Sequence, residues 1–154
     1  MKKFLNGFCC AFRGLWETLL SERNMRIHLS IALLVIFFGA VCRISSAEWL
    51  AILAFCGTVF CAETHNTAIE LTLDKLGSEK NEMTRRAKDA AAGGVLATAT
   101  ASAIGGGIIF FRKSRIEAAI GFLTSRFWIL PVFIAACAAL LVFIIRPKKE
   151  RKSK

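Results

Sequence analysis

Two uninterrupted apolar runs limit what this chain can fold into. Residues 90–111 form a run of 22 without a charge, and residues 127–145 another of 19. Each approaches the roughly 20 helical residues needed to cross a hydrocarbon layer about 30 Å thick. With 154 residues, 55% of them apolar, and only two prolines, the chain is one domain of membrane-spanning helices. Disorder and an ordinary soluble domain are both excluded by that composition.

The formal charge of +10 does not point to nucleic acid, because Lys and Arg sit at the ends of the apolar runs. Membrane proteins place them there to fix orientation. The six cysteines, Cys9, Cys10, Cys42, Cys56, Cys61 and Cys137, show no C-x-x-C spacing and no histidine at metal-ligand distance. They read as structural, four of them small hydrophobes within apolar runs.

Residues 4–20 have a different pattern. Phe4, Phe8, Phe12, Leu15, Trp16 and Leu19 follow a helical repeat, with Asn6, Arg13 and Glu17 off the stripe. Such a helix lies along the membrane interface. Arg13, Glu17 and Glu22 interrupt any signal-peptide core, so no cleavage is expected. Spans are predicted at about 27–44, 49–73 and 90–111. A polar loop at 74–89 precedes the third span, and a basic connector at 112–126 leads to an extra C-terminal span at 127–145. A basic tail, 146–154, follows. With four spans, sixteen Lys and Arg share the side of both termini and the 74–89 loop, against five opposite. The positive-inside rule puts the sixteen in the cytoplasm. Four of the opposing five belong to the connector, which reads alternatively as an interfacial helix.

In the third span, Ala90, Gly94, Thr98, Ser102 and Gly106 recur every fourth residue beside Gly93, Ala97, Ala101 and Gly105. This is the spacing of close helix packing in lipid.

The chemistry is concentrated in the second span. Glu63, Asn66 and Glu70 stand at i, i+3 and i+7, on one helix face. The two carboxylates lie about 10 Å apart along the axis. Glu63 is fourteen residues beyond Trp49 and so lies within the membrane. A charge at that depth costs at least about 2.5 kcal/mol, and such residues commonly mark function. An interhelical polar clamp accounts for one such group more readily than for three. Glu22 and Lys88 fall at the level of Glu70. Paired carboxylates suit Mg²⁺, and a lysine beside them suits phosphate. A small transporter using Glu63 as a proton site would leave Glu22, Lys88 and Asp89 unexplained. There is no G-x-x-x-x-G-K-[ST] loop.

Glu63-x-x-Asn66-Thr67-Ala68-Ile69-Glu70, followed by Ala87-Lys88-Asp89, resembles the small prokaryotic diacylglycerol kinase and undecaprenol kinase family. So do Phe8-x-x-Ala11-x-x-Gly14 and Glu22-Arg23-Asn24-x-Arg26-x-His28. The resemblance covers residues 4–111. It implies an all-α homotrimer in the bacterial cytoplasmic membrane, each subunit with an interfacial helix and three core spans, with active sites shared between subunits. It further implies phosphoryl transfer from Mg·ATP to a lipid alcohol. In that scheme Glu63 is the general base and Asn66 positions the reacting groups. Glu22 and Glu70 hold the metal on ATP, Lys88 contacts the phosphates and Asp89 the nucleoside end. The E-R-N-x-R-I-H stretch and the A-A-A-G-G-V-L run look more like the undecaprenol branch than the diacylglycerol branch. His65 departs from the family pattern and reads as a polar residue within the bundle. Residues 112–154 lie beyond the family's usual end.

Overall fold

The computed structural model describes residues 2–76, 81–125 and 128–146. Among these it contains six α-helices and no strand: α1 Lys2–Ser21, α2 Arg23–Val41, α3 Ser46–Lys75, α4 Glu82–Phe110, α5 Lys113–Ser125 and α6 Ile129–Ile145. α2, α3 and α4 are each long and apolar enough to cross a membrane. The protein is an all-α, multi-pass membrane protein.

α1 presents Phe4, Phe8, Phe12 and Trp16 as an exposed apolar stripe, as an interfacial helix must to reach lipid. It ends at a corner of one residue. Glu22, with extended φ −102° and ψ 124°, is the only non-helical residue between α1 and α2. Arg26, 4% exposed, donates through Nη1 to the carbonyl of Leu20 at 3.0 Å and braces this corner.

The far end of α2 turns tightly into α3. Arg43 takes the left-handed conformation, φ 48°, and Ile44 N donates to Gly39 O at 3.1 Å. A Cβ on Gly39 would come within 2.9 Å of the Trp49 ring, so this approach needs glycine. Ser45 then caps α3 in a reciprocal box with Glu48, satisfying two otherwise orphaned backbone donors. Ile44, Ile52 and Ile109 form a buried apolar cluster at this end.

α3 and α4 form the main helix pair. The Phe55 ring sits where a Cβ on Gly105 would be, and Ser102 Oγ donates to Phe55 O at 3.4 Å. The expected small-residue packing therefore holds at these two positions. Within the subunit it does not extend along the whole stripe, because a Cβ added at Gly93, Gly94 or Gly106 would meet nothing within 4 Å. α2 packs on α3, and a cavity separates it from α4.

Three expectations are corrected. The second span begins three residues early, at Ser46, and α4 starts at Glu82. Most of the expected 74–89 loop is therefore helix, and Arg85, Lys88 and Asp89 project from the first two turns of α4. The caps at Ser45 and Asn81 let both helices run past the apolar layer. The basic connector is itself a helix, α5. His65 is exposed in the subunit and bonds through Nδ1 to its own helix, at Cys61 O, 2.8 Å.

The extra span corresponds to α6, whose 17 residues extend about 25 Å. Phe127 of that expected span and all of the tail after Arg146 lie outside the described residues. α6 runs antiparallel to α2. Near its start Phe133 stacks on Phe37, centroids 5.5 Å apart. At its end the Arg146 carbonyl accepts from Arg26 Nη2 at 2.9 Å. α5 is pinned at the opposite end of the bundle, where Arg115 Nη2 donates to both oxygens of Glu48 at 2.7 and 2.8 Å.

Candidate active site

Glu63 (2% exposed), Asn66 (8%) and Thr67 (3%) form the buried polar face of α3. Thr67 is satisfied locally, its Oγ1 donating to Glu63 O at 2.9 Å. Asn66 Nδ2 donates to Glu70 Oε1 at 3.0 Å and fixes that carboxylate one turn nearer the surface. Asn24, on the first turn of α2, acts on the Glu63 carboxylate, as do the charges of Glu22 and Glu70. The corner residue Glu22 and the α3 face thus meet. The structure brings together Glu22, Glu63, Asn66 and Glu70, from two elements.

This cluster is short of hydrogen-bond partners. Glu63 Oε2 and Asn66 Oδ1 are both buried and without one. Such an atom costs about 1–3 kcal/mol, so a folded protein keeps two of them side by side only where something else gains. The half-buried carboxylates Glu22 and Glu70 also repel the charge of Glu63. A cation bridging Glu22 and Glu70 would relieve that repulsion, and acceptor oxygens are the donor set a hard cation takes. Among the described residues no three His, Cys, Asp or Glu side chains converge as a cage. A metal that arrives already coordinated by phosphates needs no such cage.

Lys88 and Asp89 are not in the cluster. Lys88 is ion-paired with Asp74, at the end of α3. Asp74 is four residues beyond Glu70 and so on the same helix face. Asp89 points outward, 64% of its side chain exposed, and pairs with Arg85 at 2.9 Å. These two residues form a charged rim beside the carboxylate cluster.

Sequence reasoning passed over Asn24, Arg26 and Asp74 as individual groups. Asp74 had a signal, because it continues the stripe Glu63, Asn66, Glu70 by one more turn. Asn24 stands four residues before His28, a polar pair on one face of a helix that is apolar beyond Ser30. Arg26 had no signal, since its partners are backbone carbonyls.

The sequence that folds into this arrangement has known relatives. The family model of prokaryotic diacylglycerol kinase matches residues 9–110, and the chain belongs to that family of membrane lipid kinases. Within it, the chain is 39% identical to the undecaprenol kinase of Bacillus subtilis over 113 residues, 73% of this chain and 92% of the relative. It is 34% identical to a diacylglycerol kinase of Synechocystis sp. over 107 residues, 68% of this chain and 61% of that relative. No solved structure matches. The family region ends with α4, so α5 and α6 lie outside it.

Proposed function

We propose that this lipid kinase transfers the γ-phosphate of Mg·ATP to the hydroxyl of undecaprenol, at the cytoplasmic surface of the membrane. The observation that carries the reading is Glu63. It is a carboxylate buried in a spanning helix, with one oxygen unpartnered and two further carboxylates acting on it. The relative that the chain nearly spans is an undecaprenol kinase, which favours undecaprenol over diacylglycerol. Family membership displaces the transporter reading.

In this mechanism Glu63 accepts the proton of the lipid hydroxyl through the oxygen that lacks a partner. Asn24 holds the carboxylate in place, and burial keeps water from competing as the acceptor of phosphate. Asn66 positions Glu70 and offers its free carbonyl oxygen to the reacting groups. Glu22 and Glu70 would hold the Mg²⁺ that comes with ATP, which would supply charge neutralisation for the transferring phosphoryl group. Lys88 exchanges Asp74 for the phosphates, and Asp89 meets the nucleoside end. Phosphoryl transfer needs in-line positioning and charge neutralisation more than covalent chemistry, and this site is built from groups that do both.

The orientation follows the sixteen-to-five charge bias, with Glu22, the start of α4 and Arg146 cytoplasmic. A homotrimer suits the open α4 face, where Gly93 and Gly94 have no neighbour within the subunit. It also suits the distance of Asp89 from the acidic cluster, since a neighbouring subunit's rim can complete the site.

The test is phosphate transfer from labelled ATP by the purified protein, with undecaprenol and diacylglycerol offered in parallel micelles. Preferential label on undecaprenol supports the reading. Preferential label on diacylglycerol moves the substrate and leaves the site. No Mg·ATP binding would overturn both.

A further inference from the structure

An apolar cavity of about 570 Å³ lies between α2, α3 and α4. Its α4 wall is made of small residues, Ala99, Ser102, Ala103, Gly106 and Gly107, and its α3 wall runs from Ile52 to Phe60. A second cavity of about 360 Å³ continues from it between α2 and α5, sharing Ile31, Val35, Phe110 and Phe111 as common walls. Ile116, Ala119 and Ile120 of α5 floor this second part.

Both ends of this trench are defined. At one end, His28 and Val59 line it, and each stands four residues from a member of the acidic cluster, Asn24 and Glu63. Residues at that spacing share a helix face, so on both helices the trench opens one turn from the Glu63 carboxylate. At the other end Arg115 lines the cavity and is tied to Glu48. Val59 is eleven residues beyond Glu48 on α3, so the trench is about 16 Å deep and its far end lies about 22 Å from the level of Glu63. An apolar channel of this depth, starting beside the group that would deprotonate an alcohol, has the shape of a site for the alcohol's hydrocarbon tail.

We propose that the trench holds the tail of the lipid-alcohol substrate, and that α5, which lies outside the family region, is the floor that sets how much tail is accepted. This rests on the kinase reading. It also assigns a role to part of the small-residue stripe. Gly93, Gly94, Ala97 and Ala101 are exposed or open, whereas Ser102 and Gly106 thin the trench wall. In lipid the tail gains little by leaving one apolar medium for another. Selection therefore acts through steric fit, and blocking the trench should cost what overpacking costs.

The experiment compares the full-length protein with Ala119→Trp, which fills the α5 end, and Gly106→Leu, which fills the middle. No atom lies within 4 Å of where the Cβ of Gly106→Leu begins, so that variant keeps the test open if Ala119→Trp does not fold. Ala118→Trp, adding the same bulk at an exposed position of α5, is the control. Geraniol, farnesol, geranylgeraniol and undecaprenol are offered as substrates, and their retention is read separately by native mass spectrometry. The expected result is that kcat/KM for the longer alcohols falls about tenfold in both filled variants, as forced packing does. Geraniol and the KM for ATP should stay unchanged, and Gly106→Leu should cut in at a shorter tail than Ala119→Trp. Equal loss for every tail length, or loss of oligomeric state with uniform loss of turnover, would give the trench to another occupant and overturn the proposal. If the wild type phosphorylates none of these alcohols, the kinase reading fails. Tail-length-dependent retention, lost in the filled variants, would still establish the trench as a lipid site, and unchanged retention would remove it.

Discussion

α3 carries two glutamates fifteen residues apart that differ in almost every respect except chemistry. Glu48 is saturated: it accepts from Ser45 N and Ser45 Oγ at 2.8 Å, and from Arg115 at both oxygens, with Arg112 3.7 Å away. Glu63 is more deeply buried, keeps one oxygen without a partner and feels two like charges. A carboxylate meant to hold helices together is given every donor within reach. On the proposed mechanism Glu63 is kept undersupplied because a base whose lone pairs are all engaged has none for an incoming proton.

The most direct way to break this contrast is Glu63→Gln, which keeps the shape and removes the basicity. Turnover is expected to fall at least about 10²-fold with Mg·ATP binding retained, measured by equilibrium dialysis beside a lipid-phosphorylation assay. Full activity would reduce Glu63 to an interhelical clamp like Glu48. Next in size is Lys88→Ala, expected to weaken Mg·ATP binding about tenfold, the value of one hydrogen bond to a charged group. Glu70→Gln should leave the nucleotide bound at saturating metal but raise the Mg²⁺ needed for half-maximal rate by a similar factor. A titration that does not move would remove Glu70 from the metal set.

Arg115→Met sharpens the other side of the comparison. Its pair with Glu48 is neither exposed nor fully buried, the side chains being 14% and 16% accessible, so a loss of about 1 kcal/mol is expected. Thiol labelling in a variant with Cys42 as the sole cysteine should report it, since Cys42 Sγ contacts the Arg115 carbonyl at 3.6 Å. The smallest effect belongs to Lys113→Ala. That residue is 90% exposed and 4.0 Å from Glu117, and its removal should change thermal stability by under about 0.5 kcal/mol.

The spans and the acidic face of α3 were legible because both depend on periodicity along one helix. Apolar length reveals a span, and the i, i+3, i+7 spacing of Glu63, Asn66 and Glu70 reveals a shared face before any neighbour is known. The meeting of Glu22 with that face was legible only as a shared depth. Depth is a weaker constraint, and it also grouped Lys88 with the cluster, whereas in the folded subunit Lys88 pairs with Asp74. Nothing in the periodicity distinguished small residues that pack from small residues that make room. Gly105 and Gly106 are neighbours in sequence, yet one meets the Phe55 ring and the other faces open space. That difference depends on where α2 sits, which no local pattern encodes. The helix in 112–126 was obscured by its charges, whose partner, Glu48, lies 67 residues away from Arg115.

That separation of 67 residues is also a delay. At about 5–20 residues per second of synthesis, Arg115 leaves the ribosome some 3–13 s after Glu48. During the interval the Ser45 box alone keeps the Glu48 carboxylate occupied and correctly aimed. α5 therefore docks onto a receptor that is finished before its ligand exists. A chain assembled in this sequence can complete its catalytic helices first and add the floor of the trench last.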